Sequence, residues 1–239
     1  MLNSSGNVSY VDLITHKYPK SAAAEAFRTM RTNLGFAAPD SPARLIMATS
    51  AGPGDGKTTT ITNLAVVLTQ AGHSVCLVDC DLRKPRLHKI FGLENNLGLT
   101  NLLLQKATLD EVIVPSEVNG LHLLFSGPIP PNPAELLGSE RIKELWPSLL
   151  ERFNYVLVDA PPVLAVTDAS LLAGQLDGVI LVVNSVTSRV DRVQEAKDQL
   201  LKANARVLGV VLNQLRMSKQ DYGYYYYYHS KSKADQIRL

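Results

Sequence analysis

Apolar residues in this chain gather in short runs, and each run stops at an acid, an asparagine or a glycine-rich turn. Six runs, at 45–49, 74–79, 121–125, 155–159, 178–184 and 207–213, have the length of strands. They are apolar at successive positions rather than alternate ones, the mark of parallel strands covered on both faces. Between them, apolar residues recur at helical spacing over 21–34, 58–70, 139–152, 168–174 and 189–203. Ser21 can cap the first of these, Pro39 and Pro42 close its region, and Gly72 ends the second. Strand and helix in alternation predict an α/β fold, P-loop NTPase-like, with a mostly parallel central sheet and helices on both faces. Ligands of such sheets bind at the carboxyl ends of the strands.

A length of 239 residues, 46% of them hydrophobic, suits one such domain and leaves little for a second. The expected division is a domain over 1–215, with its N-terminal helix at 21–34, and a tail over 216–239. A net charge of +2 gives no argument for nucleic acid, and no nucleic-acid partner is expected. The excess sits mostly in the tail, where Arg216, Lys219, Lys231, Lys233 and Arg238 face Asp221 and Asp235. This suits a solvated tail or an anionic membrane surface. Two cysteines, Cys76 and Cys80, do not make a disulfide scaffold, and a reducing cytoplasmic compartment is expected. No signal-like segment and no run of eighteen apolar residues occurs, so membrane attachment is expected to come through a partner. The five histidines show no metal-ligand spacing, and Trp146 reads as a packing residue.

Chemistry enters at AGPGDGKT, residues 51–58, between a strand and a helix. The pattern is a P-loop with alanine at the usual first glycine. Small residues let the backbone amides of Gly52, Pro53, Gly54, Asp55 and Gly56 and the following residues, proline lacking one, close around phosphate oxygens at a helix N-terminus. Lys57 is expected to reach the β and γ phosphates, Thr58 to supply a hydroxyl to magnesium, and Thr59 to continue the cradle. Two further strands end in acid: Asp79 and Asp81 in DCDLRKP, and Asp159 in DAPP. Asp79 and Asp81, two apart at a strand end, can point the same way. Thr58, Asp79, Asp81 and Asp159 form the candidate magnesium set. Taken alone, Asp79 and Asp81 read equally as solvated turn acids.

The set AGPGDGKT, LVDCDLRKP and VLVDAPP resembles the Walker A, A′ and B motifs of the bacterial tyrosine kinases that control capsule and exopolysaccharide synthesis. EAFRTMR at 25–31, GPIPPNPAELL at 127–137 and the run YGYYYYY at 222–228 resemble that family too. The resemblance covers most of residues 20–228. It implies an ATP- and Mg2+-dependent tyrosine autokinase in which Asp79 accepts the tyrosine proton, with Lys57 and Asp81 as its catalytic company. A phenol with pKa about 10 is a poor nucleophile at neutral pH, so a carboxylate that orients or deprotonates it is chemically sensible.

Tyr222, Tyr224, Tyr225, Tyr226, Tyr227 and Tyr228 become the candidate phosphoacceptors. Taken alone, that run reads first as a low-complexity or aromatic tail. Glu25, Arg28 and Arg31 share one helix face. They serve either a local ion pair or, as the resemblance implies, contacts that close a homo-oligomeric ring in which each tail enters a neighbour's site. Asn213 is a candidate adenine contact or an ordinary turn residue. Arg83 is placed to meet phosphate or an acid. The resemblance further implies a membrane adaptor whose cytosolic C-terminal segment activates the kinase, a cognate phosphotyrosine phosphatase, and protein substrates in polysaccharide synthesis. The rival is a partitioning or cell-division-site ATPase switch of the MinD/ParA kind, without tyrosine kinase activity. Such proteins carry a second lysine where this chain has Gly52, and their membrane-targeting helices need an apolar face that YGYYYYY lacks.

Overall fold

A strand apolar on both faces is satisfied only inside a three-layer sandwich, and the chain builds one. The computed structural model describes residues 13–37 and 42–215. The six candidate acceptor tyrosines lie outside them. Seven strands are present among the described residues: β1 Leu45–Ser50, β2 Val75–Asp79, β3 Ile113–Pro115, β4 Leu121–Leu124, β5 Tyr155–Asp159, β6 Gly178–Asn184 and β7 Val207–Asn213. They form one sheet in the order β3-β4-β2-β5-β1-β6-β7, parallel except at the β3–β4 pair. This is the expected α/β architecture.

The helices are α1 Ile14–Lys17, α2 Ala22–Ala37, α3 Lys57–Thr69, α4 Leu87–Phe91, α5 Leu99–Leu103, α6 Leu109–Val112, α7 Pro133–Leu137, α8 Glu140–Arg152, α9 Asp168–Ala173 and α10 Val190–Lys202. Alternation along each central strand divides the core in two. Leu45, Met47, Cys76, Val78, Val156 and Val158 face a core shared with α8, α9 and α10. Ile46, Ala48, Val75, Leu77 and Leu157 face the other core, shared with α3. All five residues of β2 are buried.

Three features depart from the sequence reading. Residues 14–17, for which the sequence pattern gives no element, form α1, which clamps onto α3: the Thr15 amide and hydroxyl both donate to Asn63 Oδ1, at 3.0 and 2.7 Å. Strand β3 is three residues long and ends in Pro115, whose missing N–H suits an edge. Strand β7 lies at the opposite edge, with Val210 and Leu212 exposed.

Register decides where the chemistry gathers. Asp79 pairs with Asp159 across β2 and β5, and Asp159 pairs with Ala48 of β1. The carboxyl ends of three adjacent strands therefore stand level, and the P-loop leaves from one of them.

Candidate active site

The loop between β1 and α3 is held by its own side chains. Asp55 accepts from the Gly52 amide at 3.2 Å through Oδ2 and from the Ser188 hydroxyl at 3.0 Å through Oδ1. The Ser50 hydroxyl donates to the Gly52 carbonyl at 2.7 Å. Gly56 has φ +92°, and a β-carbon there would stand 1.9 Å from Asn213 Nδ2. Only glycine fits, because the backbone is left-handed and a neighbour occupies the side-chain position. Asn213 Nδ2 donates to the Asp55 carbonyl at 2.9 Å, and its Oδ1 accepts from the Gln214 amide at 2.9 Å. The end of β7 therefore braces the P-loop from behind. Gly54, at φ +86°, has open space around it. Helix α3 begins at Lys57 and runs thirteen residues, so its first-turn amides and partial positive charge face the loop that Pro53 and Gly54 complete. Thr59, in that first turn, is half-buried, and its carbonyl accepts from Asn63 Nδ2 at 2.8 Å.

The three acids converge on this loop. Lys57 Nζ lies 3.5 Å from Asp81 Oδ2, and both are almost wholly buried. The Thr58 hydroxyl donates to Asp159 Oδ2 at 2.7 Å. The other oxygen, Asp159 Oδ1, is buried without a hydrogen-bond partner among the described residues. Asp79 is fully buried: Oδ1 accepts from the Asp81 amide at 3.1 Å, and Oδ2 from the amides of Arg86 and Leu87, both at 3.2 Å. Burial, and then the neighbouring Asp159 carboxylate, hold Asp79 well above the usual carboxylate range, against the opposing pull of the Leu87 amide. Burial likewise pushes Asp159 up to about 6, although Lys57 and the Thr58 hydroxyl pull it down.

Among the described residues no three His, Cys, Asp or Glu side chains form a metal cage. The donors present are a threonine hydroxyl, one unpartnered carboxylate oxygen and nearby acids. They fit magnesium, which binds through one or two protein oxygens and completes its shell with water and phosphate. Burial raises the Cys76 thiol to about 12 and carries Cys80 well up too, so neither is a thiolate ligand.

Arg83 meets an acid. It makes a bidentate pair with Asp168 Oδ2 and Oδ1 at 2.8 and 3.0 Å, which ties the segment after β2 to the start of α9. Sequence reading missed Asp168 and Ser188 because their partners lie 85 and 133 positions away. Glu25, Arg28 and Arg31 stand apart from this site and are engaged within the chain. Glu25 pairs with Arg28, Arg28 donates to the Pro19 carbonyl at 2.6 Å, and Arg31 donates to the Val67 carbonyl of α3 at 2.9 Å.

Comparison with known proteins agrees with this geometry. Residues 42–238 match the model of the ParA family, described as NUBPL iron-transfer P-loop NTPase. The tyrosine-protein kinase YwqD of Bacillus subtilis is 44% identical over 215 residues, which span 90% of this chain and 91% of that one. The crystal structure of the chimerical protein CapA2B2 superposes with a TM-score of 0.84 at 44% identity, covering 87% of this chain and 92% of that one. The septum site-determining protein MinD of Pyrococcus horikoshii, complexed with Mg-ADP, superposes with a TM-score of 0.63 at 28% identity over 74% of this chain and 73% of its own.

Proposed function

From the premise that this chain belongs to the bacterial tyrosine-protein kinase family, we propose that it is an ATP-dependent autokinase that phosphorylates the tyrosines of its own C-terminal cluster, between neighbouring copies. The observation that carries the reading is the convergence of Lys57, Thr58, Asp79, Asp81 and Asp159 at one end of the sheet, in a chain that also holds six tyrosines within 222–228.

Residues 1–215 act as the kinase unit and 216–239 as its substrate. The amides of 52–59 bind the nucleotide phosphates, and Lys57 neutralises charge on the β and γ groups. Thr58, Asp159 and Asp81, with Asp79 bordering the site, would hold Mg2+, which would lower the charge on the transferring phosphoryl group. In the transfer, the phenol oxygen bonds to the γ phosphorus, the bond from that phosphorus to the ADP oxygen breaks, and the phenol proton passes to the Asp79 carboxylate. A carboxylate held high by burial is a stronger base than an ordinary aspartate. Most of the acceleration comes from positioning and charge.

Glu25, Arg28 and Arg31 contribute to a ring that brings one subunit's tail to the next. Among the described residues no helix is long and apolar enough to cross a membrane. The kinase works at the inner face of the cell membrane through an adaptor whose cytosolic segment activates it. A phosphotyrosine phosphatase resets the tail, and the cycle governs capsular or exopolysaccharide synthesis. The MinD-like switch is the weaker reading, since superposition on MinD is poorer than on CapA2B2. Incubation with ATP and Mg2+ followed by mass spectrometry of the tail tests the reading. Phosphotyrosine within 222–228 that disappears in Lys57→Ala is expected; an unmodified tail, even with the activating segment supplied, overturns it.

A further inference from the structure

Directly after the acids of β2 the chain opens a cavity of about 670 Å³ whose wall is cationic. Arg83, Lys84, Arg86 and Lys89 line it, and none of its lining residues is an acid. Its volume lies within the usual range for small-ligand sites, roughly 300–1,000 Å³.

The four cations are not equivalent. Arg83 is already paired with Asp168, and Arg86 is close enough to Asp159 to lower that group's proton affinity. Lys84 and Lys89 are exposed, and neither side chain has a carboxylate partner among the described residues. The lining also includes an apolar stretch that is firmly held. Ile129 is 63% exposed beside Pro128, and the turn beneath is clamped by Asn95, which accepts from the Gly127 amide at 2.9 Å and donates to the Gly127 carbonyl at 2.9 Å. An anionic group among lysines with a ring against Ile129 and Pro128 describes a phosphorylated phenol.

The cavity also shares a backbone with the acid assigned as proton acceptor. The amides of Arg86 and Leu87 bond to Asp79 while the Arg86 side chain lines the cavity, so the two sites adjoin. Two residues of an extended chain span about 7 Å, so neighbouring tyrosines of one tail can occupy both together. Charge fixes which tail fits. Unmodified, residues 216–239 carry five lysines and arginines against two aspartates, and a cationic cavity repels them. Each phosphotyrosine adds roughly −1.5 to −2 at pH 7, so one offsets half or more of that excess and a second neutralises or reverses it.

We propose that this cavity is a phosphotyrosine subsite: it holds a tyrosine already phosphorylated on the tail of a second copy of the chain while the next tyrosine lies at Asp79. The subsite makes phosphorylation of the cluster processive, and it rests on the kinase reading only for the identity of the tail.

The test uses the full chain, dephosphorylated and without ATP, and two synthetic peptides of residues 221–230, one phosphorylated at Tyr227. Fluorescence anisotropy is expected to show the phosphopeptide binding about tenfold tighter, as charge-assisted pairing implies, with the difference lost in Lys84→Ala/Lys89→Ala. Equal affinity for the two peptides, or a preference that survives in the double variant, overturns the proposal. With ATP and Mg2+, the wild type is expected to yield mainly multiply phosphorylated tails. The double variant is expected to accumulate singly phosphorylated ones at an unchanged rate of first transfer; an identical product ladder, or slowing of the first transfer, overturns it. Absence of any transfer by the wild type would count against the kinase reading alone, because the peptide comparison needs no turnover.

Discussion

The Thr58 hydroxyl donates to Asp159 Oδ2 at 2.7 Å and leaves Oδ1 as the one buried carboxylate oxygen without a partner among the described residues. A buried, unsatisfied carboxylate oxygen is costly, and retaining it makes sense where a cation completes it. Asp159→Asn keeps the shape and removes the charge. It is expected to weaken Mg2+-dependent nucleotide binding by about 10- to 100-fold, the range for losing a charged contact, with little effect on binding measured in EDTA. Calorimetric titration with ADP, with and without Mg2+, checks this; equal losses in both would remove Asp159 from the metal site.

Burial of the same carboxylate has a consequence for stability. With its folded pKa pushed up to about 6 and an unfolded value near 3.9, Asp159 binds more protons in the native state than in the unfolded one between about pH 4 and pH 6. Its contribution therefore falls as pH rises through that window and stays low above it. Asp79 acts in the same direction. The metal-free protein is expected to lose on the order of 2 kcal/mol from this source between pH 4.5 and pH 7, several degrees in Tm, and Asp159→Asn is expected to flatten that slope. Thermal unfolding of both proteins in EDTA across the range reads it; parallel curves would refute the assignment.

The two most linear parts of the site were the most legible. Strands buried on both faces announce themselves as apolar runs, and the P-loop and its acids lie at the ends of three such runs, where parallel-sheet geometry must bring them together. Elements fixed by distant partners were not legible. Helix α1 depends on Asn63, and α4, α5, α6 and α7 are each shorter than two turns, too short for a periodic signal. The P-loop brace joins Asn213 to Asp55 across 158 positions, and nothing near either residue marks it.

That brace separates two roles for Asn213. Its Nδ2 is committed to the Asp55 carbonyl, and so Asn213→Ala is expected to loosen the loop and weaken ATP and GTP binding alike, by several-fold, consistent with loss of one hydrogen bond worth about 1 kcal/mol. A loss confined to ATP would instead assign Asn213 to the adenine base. Gly56→Ala is expected to be the more damaging change, because it adds both a left-handed backbone penalty of about 1–2 kcal/mol and a clash with the brace. Removing the brace in Gly56→Ala/Asn213→Ala relieves the clash and leaves the backbone penalty, so the double variant is expected to unfold at a higher temperature than Gly56→Ala.

Arg28 and Arg31 sit one turn apart on α2, yet their intrachain roles differ, and the difference makes assembly testable. Arg31 donates to the Val67 carbonyl near the end of α3, so Arg31→Glu places a carboxylate against a carbonyl and costs stability within one chain. Arg28 is part-exposed, and its partners are a neighbour on its own helix and the Pro19 carbonyl. A partly exposed pair of this kind contributes only a few tenths of a kcal/mol to a helix. Arg28→Glu is therefore expected to leave the melting temperature within about 1–2 °C of wild type while abolishing the ring, read as a fall to monomer mass by light scattering. Tail phosphorylation should fall with it and become steeply dependent on protein concentration. A ring that persists in Arg28→Glu at unchanged stability would confine the Glu25–Arg28 pair to its local role on α2.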